Sequence, residues 1–150
     1  MTTARNAAYP VAVFLVTILA SSAGAVDWAE CSSADRTALL EEALLGEVRA
    51  QIRYANAPVA CVVVGIAEYE MEGAVDPPAR LITRVAEATR CRIVAVSKAS
   101  DCPGAPQTFV GEPRCAGLRG IVPTQIHNHC PLEFEKVGKR WVDVTSNVCA

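Results

Sequence analysis

A chain of 150 residues with a formal net charge of −2 has the length of one domain. Nucleic acid and anionic membrane surfaces need a dense basic patch in a partner, and this charge balance argues against them. A domain of this size can bury a core unaided, yet is small enough to gain from cross-links.

The first residues differ from the rest. Arg5 is the only charge before Asp27, and Val11–Ala20 is apolar except for Thr17. Ser21, Ser22, Ala23, Gly24 and Ala25 follow. A weakly basic start, a short apolar run and small residues ending in A-x-A form the pattern of a secretory signal. The apolar run is about half the ~20 residues that span a bilayer, so removal is expected rather than a permanent anchor. The cut is expected between Ala25 and Val26. That gives residues 1–25 as a signal peptide and 26–150 as a single exported domain, periplasmic or extracellular. The mature chain loses Arg5 and no acidic residue, and carries no membrane segment.

All seven cysteines lie in the mature part: Cys31, Cys61, Cys91, Cys102, Cys115, Cys130 and Cys149. An oxidising compartment makes disulfides the default. No C-x-x-C is present, so zinc-type spacing is absent. Three bridges and one odd cysteine are expected. The odd one is either buried and inert, free, or available to link two chains into a dimer.

Ser32 or Ser33 is expected to cap a first helix, with Asp35 in its first turn where the dipole favours negative charge. Leu40, Leu44, Val48 and Ile52 recur every four residues, and Leu45 widens the stripe. The helix is predicted from about Ala34 to Tyr54, ending before Pro58. Val59–Ala67 is a continuous valine-rich run, which reads as a buried strand. Asp76-Pro77-Pro78 predicts a second helix with Asp76 as its N-cap and Leu81, Ile82, Val85 and Ala88 on its buried face. Ile93–Val96 is a second strand. Strand, helix and strand make a βαβ unit with parallel strands and a right-handed crossover.

Residues 98–120, with Pro103, Pro106 and Pro113 and four glycines, are expected to form a long irregular loop. Such a loop needs a tether, and Cys102 with Cys115 is the favoured disulfide. The C-terminal third reads as antiparallel strands: Ile121–Cys130, Leu132–Val137 and Trp141–Val148. Pairing Leu132 and Phe134 with Val142 and Val144 would put four apolar residues inside and Glu133 and Glu135 outside. That register requires a three- or five-residue loop rather than the two-residue turn Gly138-Lys139. It also sets Cys130 inward and Cys149 outward, which disfavours a direct bridge between them.

The expected fold is therefore α+β in the order α-β-α-β-β-β-β, with a mixed sheet, a βαβ unit, a C-terminal hairpin, helices on one side and disulfide staples. Its outline is similar to cone-shaped NTF2-like and cystatin-like folds. The βαβ unit departs from both, and no residue role carries over.

The sharpest chemical constellation is His127-Asn128-His129. On a strand the two imidazoles share a face and could hold copper or zinc. A third ligand would come from Asp143, Glu133, Glu135 or a free cysteine; without one they are solvated surface histidines. An unpaired cysteine beside one of them would be a thiol nucleophile. Glu68, Glu70 and Glu72 alternate and could hold a hard cation, or could simply be solvated. No phosphate loop, nucleophile elbow, dinucleotide fingerprint or H-E-x-x-H is present. The reading is an exported binding or structural domain, with an unidentified protein or small ligand as partner and no evident catalytic set.

Overall fold

The computed structural model describes residues 24–67, 73–124 and 131–146. In chain order the elements are β1 (Ala29–Glu30), α1 (Ser33–Tyr54), β2 (Cys61–Ala67), β3 (Ala74–Val75), α2 (Ala79–Thr89) and β4 (Arg92–Ala95). A 3₁₀ segment (Val96–Asp101) leads to β5 (Gln107–Gly111), β6 (Arg114–Ala116), β7 (Arg119–Val122), β8 (Leu132–Val137) and β9 (Arg140–Asp143). The class is α+β, with mixed sheets and, among the described residues, two disulfides.

The βαβ unit is present. β2 and β4 run parallel with Cys61 opposite Arg92 and Val64 opposite Ala95, and α2 makes the crossover. β2 is central, because β5 pairs parallel with its other edge and β3 runs antiparallel beside its end. Its valines are buried on both faces. Val62, Val64 and Ile66 share one core with Leu40, Leu44 and Val48 of α1 and Leu81 and Val85 of α2. The two helices pack on one another. On the opposite face the 3₁₀ segment lies against β2, and the Phe109 ring crosses Gly65 so closely that a Cβ there would sit 2.7 Å from it.

α1 begins as expected: the Asp35 amide donates to the Ser32 hydroxyl at 3.2 Å. Its stripe stays buried through Val48, but Ile52 is exposed. α2 departs from expectation at its start. Pro78, not Asp76, is the N-cap, and the Asp76 carboxylate instead accepts from the Ser97 amide at 2.9 Å and from the Ser97 hydroxyl. Two successive prolines hold the chain extended for one residue more, which turns Asp76 away from the helix towards the end of β4. Ala88 is exposed, and Ala86 takes its place on the buried side.

The long loop expected over 98–120 is mostly structure. It holds the 3₁₀ segment, β5, β6 and the start of β7. Proline and glycine there divide the chain into short strands rather than abolishing them. Within β5 the alternation is clear, with Thr108 and Val110 fully buried. Five strands form a second, antiparallel sheet in the order β1-β6-β7-β8-β9. The sheets join where Val110 bridges to Thr124 and the Gly111 amide donates to the Pro123 carbonyl at 2.7 Å. α1 covers the inner face of the five-stranded sheet. Gly120 of β7 makes that approach close: a Cβ there would lie 2.9 Å from Leu39 of α1 and 3.2 Å from Trp141 of β9.

The favoured disulfide is corrected. Cys115 bonds Cys31 and Cys102 bonds Cys61, with Cα separations of 5.0 and 6.4 Å. β6 pairs with β1, which places Ala29 opposite Cys115 and brings Cys31 beside it. The 3₁₀ segment carries Cys102 beneath the start of β2 instead. These bonds span 84 and 41 residues. Loop-closure entropy makes each worth about 4 kcal/mol, more than the short tether that was expected.

The hairpin register is corrected too. Val137 pairs with Arg140 across the two-residue turn Gly138-Lys139, so even numbers oppose odd. Gly138 takes φ 64°, the left-handed value that the first position of such a turn requires. The inner face carries Phe134 and Trp141. Val142 faces outward beside Glu135 and is 44% exposed, against 5% for Trp141. The physical reason is size, because an indole removes far more apolar area from water than a valine. That register also set Cys130 inward and Cys149 outward. Both residues lie outside the described segments.

Candidate functional site

Two polar constellations stand out, and the first is a clasp at the start of α1. Serine capping fixes the first turn, which aims Asp35 at the five-stranded sheet. Its Oδ1 accepts from Lys136 Nζ at 2.8 Å and from Trp141 Nε1 at 3.1 Å, and its Oδ2 accepts from Ser32 Oγ at 3.0 Å. The hydrogen bond from Lys136 is the main reason the carboxyl is held below its ordinary range, and those from Ser32 and Trp141 act in the same sense. Lys136 also lies 5.6 Å from the Trp141 ring centre.

One residue on, the Arg36 guanidinium grips Glu112 through two parallel bonds of 2.7 and 2.6 Å. Glu112 raises the pKa of Arg36 further. The planar fork of arginine suits this two-pronged hold on a carboxylate. With Cys31–Cys115 beside it, the clasp ties one end of α1 to the five-stranded sheet covalently and electrostatically. Its groups satisfy one another.

The second constellation surrounds β4. Among the described residues this strand pairs with β2 on one edge only. Along its flank runs a groove of about 450 Å³, bounded by Pro77, Ile82 and Thr83 at α2, by Arg92 on the strand, and by Lys98 and Asp101 on the 3₁₀ segment. Asp76 stands at one end, its pKa lowered chiefly by the hydrogen bond from the Ser97 hydroxyl. Arg92 reaches the Asp101 carbonyl at 3.5 Å. Apolar walls, charges of both signs and a strand flank suit the binding of an extended segment or small molecule.

Cys91 is the free cysteine among the described residues. Its Sγ lies 3.6 Å from the Arg92 carbonyl and 3.9 Å from the Val59 carbonyl, and the half-buried side chain packs against the core. Burial pushes its thiol pKa up. A thiol so held is a poor nucleophile at neutral pH.

His127 and His129, the candidate copper or zinc ligands, lie outside the described residues, as do Cys130, Cys149, Glu68, Glu70 and Glu72. Of the suggested third ligands, Glu133 lies in β8 beside Thr145, whose hydroxyl accepts from its amide at 2.9 Å. Asp143 ends β9 and accepts from the Thr145 amide at 2.8 Å. Among the described residues no group of three or more histidine, cysteine, aspartate or glutamate side chains is arranged for a metal ion.

Sequence reasoning saw Asp35 only as a first-turn acid, and it missed Arg36 with Glu112 and Asp76 with Ser97. Their partners are long-range, and no local signal names them. Set beside known protein families, curated proteins and solved structures, the chain matches none.

Proposed function

We propose that the chain is an exported, disulfide-tied domain that binds a protein or small ligand, or serves as a structural module, in the periplasm or outside the cell. Residues 1–25 act as a removable signal in this reading. The observation that carries it is the pair of long-span disulfides, Cys31–Cys115 and Cys61–Cys102. A reducing cytosol would keep such thiols apart, whereas an oxidising compartment lets them close. The apolar run at Val11–Ala20 and the small residues after it support the same route. The flank of β4 is the surface proposed to take a ligand.

Fractionation of the producing cells with N-terminal sequencing tests this. The expected result is a chain beginning at Val26, recovered outside the cytoplasm with both disulfides formed. A soluble cytosolic chain still carrying Met1, with all its cysteines reduced, would overturn the proposal.

The H-x-H pair supports a copper- or zinc-binding reading with its own test. Titration with either metal should give a dissociation constant that His127→Ala weakens at least tenfold. A change of less than twofold would end that reading.

A further inference from the structure

We propose that the open edge of β4 takes an extended peptide segment of another protein as an added strand, with an acidic side chain of that segment set against Arg92 and Lys98. This rests on reading the flank of β4 as the ligand surface, and it names the class of ligand.

β4 offers four residues to such a guest, a length of about 13 Å. Among the described residues its ladder with β2 uses one edge, and the other edge opens into the groove. An edge strand presents main-chain N–H and C=O groups at regular spacing, and another extended backbone matches them in a row.

The two walls of the groove define the guest further. Ile93 lies opposite Val62 and shares the helix-side core with it, so Ile93 and Ala95 face α2. Arg92 lies opposite Cys61, which bonds Cys102 at the end of the 3₁₀ segment, so Arg92 and Val94 face that segment. An added strand inherits this alternation, because opposed residues share a face. On one side its residues meet Pro77, Ala79 and Ile82, a small apolar wall. On the other they meet the exposed side chains of Arg92 and Lys98.

The charges of this second wall favour a carboxylate. Among the described residues neither Arg92 nor Lys98 is held in an ion pair. Arg92 reaches Asp101 at its main-chain carbonyl, 3.5 Å away. Asp76 already accepts from the Ser97 amide and hydroxyl. Two cations therefore stand against the one carboxylate of Asp101, and a glutamate opposite Arg92 gives the cross-strand pair of opposite sign that a sheet prefers. The same walls decide against a second copy of the chain. α2 and the 3₁₀ segment flank the edge on both faces, so it lies recessed. A single strand enters there, whereas a second copy would bring its own pair of walls to the same place.

The test is a titration of the native chain with a fluorescent, end-blocked heptapeptide, Ser-Thr-Val-Glu-Val-Thr-Ser, and with its twin carrying lysine in place of glutamate. The glutamate peptide is also made in two N-methylated forms, with methyl groups on alternate amides, so that each form blocks one edge of the strand. The parent glutamate peptide should bind and raise hydrogen-exchange protection in β4. One methylated form should bind at least tenfold more weakly, and the other much as the parent does. Arg92→Glu should weaken the glutamate peptide at least tenfold and strengthen the lysine peptide by a similar factor. Arg92 is exposed and outside the core, so this variant should keep the wild-type circular dichroism spectrum.

No binding at about 1 mM of either peptide would overturn the proposal and leave the flank to a small ligand. Equal binding of both methylated forms, with protection still at β4, would overturn strand pairing and leave the flank standing as a ligand surface. Binding with protection elsewhere would overturn both. An Arg92→Glu variant that treats the two peptides as the wild type does would overturn the acidic preference. A native chain that sediments as a dimer, with β4 protected from the outset and no peptide taken up, would assign the edge to a second copy and overturn the proposal as well.

Discussion

The parallel half around β2 and the antiparallel half around β7 and β8 are held in different ways. β2 is covered on both faces, so packing gives its valines one place to be, and the Cys61–Cys102 bond ties down only the first residue of the strand. Among the described residues the five-stranded sheet is covered on one face only, and its outer face carries Val137, Val142 and Val144 in the open. Asp35 of α1 joins it through Lys136 and Trp141, a disulfide just before α1 joins it at Cys115, and Arg36 grips Glu112 in the link that leads into it. Each half carries one disulfide. Where burial is complete, apolar area does most of the positioning. Where it is half complete, charged ties add to what area supplies.

Substitution at the centre of β2 should break that contrast most sharply. Val64→Asp would bury an unpaired carboxylate and cost more than about 4 kcal/mol, leaving little folded protein in a urea titration. Next is the double variant Cys31→Ser with Cys115→Ser, expected to lose about 4 kcal/mol by loop-closure entropy. Hydrogen exchange should then quicken in β1 and β6 before it does in β2 and β4. Equal quickening in both halves would show that the clasp serves the whole core rather than one sheet.

Asp35→Asn is expected to cost about 2 kcal/mol at neutral pH, by removing a charged hydrogen-bond acceptor. The pH dependence has a definite sign. A carboxyl with a depressed folded pKa stabilises above its unfolded value and loses that contribution as pH falls through the folded one. Wild-type stability should therefore drop below about pH 4, and the Asn variant should show a shallower drop in acid unfolding. The smallest effect sharpens the register. Val142→Thr on the open face should shift stability by less than about 0.5 kcal/mol. A loss above 2 kcal/mol would mean that Val142, and not Trp141, faces the core.

The same contrast explains what could be read in advance. A valine run and a four-residue leucine repeat report burial locally, so α1, β2, α2 and β4 were legible together with their parallel arrangement. β5 to β7 were not, because Pro103, Pro106, Gly111 and Pro113 look like a loop until pairing with β2 and β1 gives their short strands a partner. The hairpin was misread by counting valines as equals of one tryptophan. The disulfides and the clasp were illegible for a shared reason. Cys31 meets Cys115, and Asp35 meets Lys136 and Trp141, only after the chain has closed on itself.

Gly120 sets the distance between α1 and the five-stranded sheet, since Leu39 and Trp141 occupy the space where its side chain would stand. An alanine there would act as a wedge, levering the helix outward and drawing Asp35 away from the indole and the ammonium it serves. Any lineage that keeps this tryptophan at the interface should therefore show an unvarying glycine two strands away.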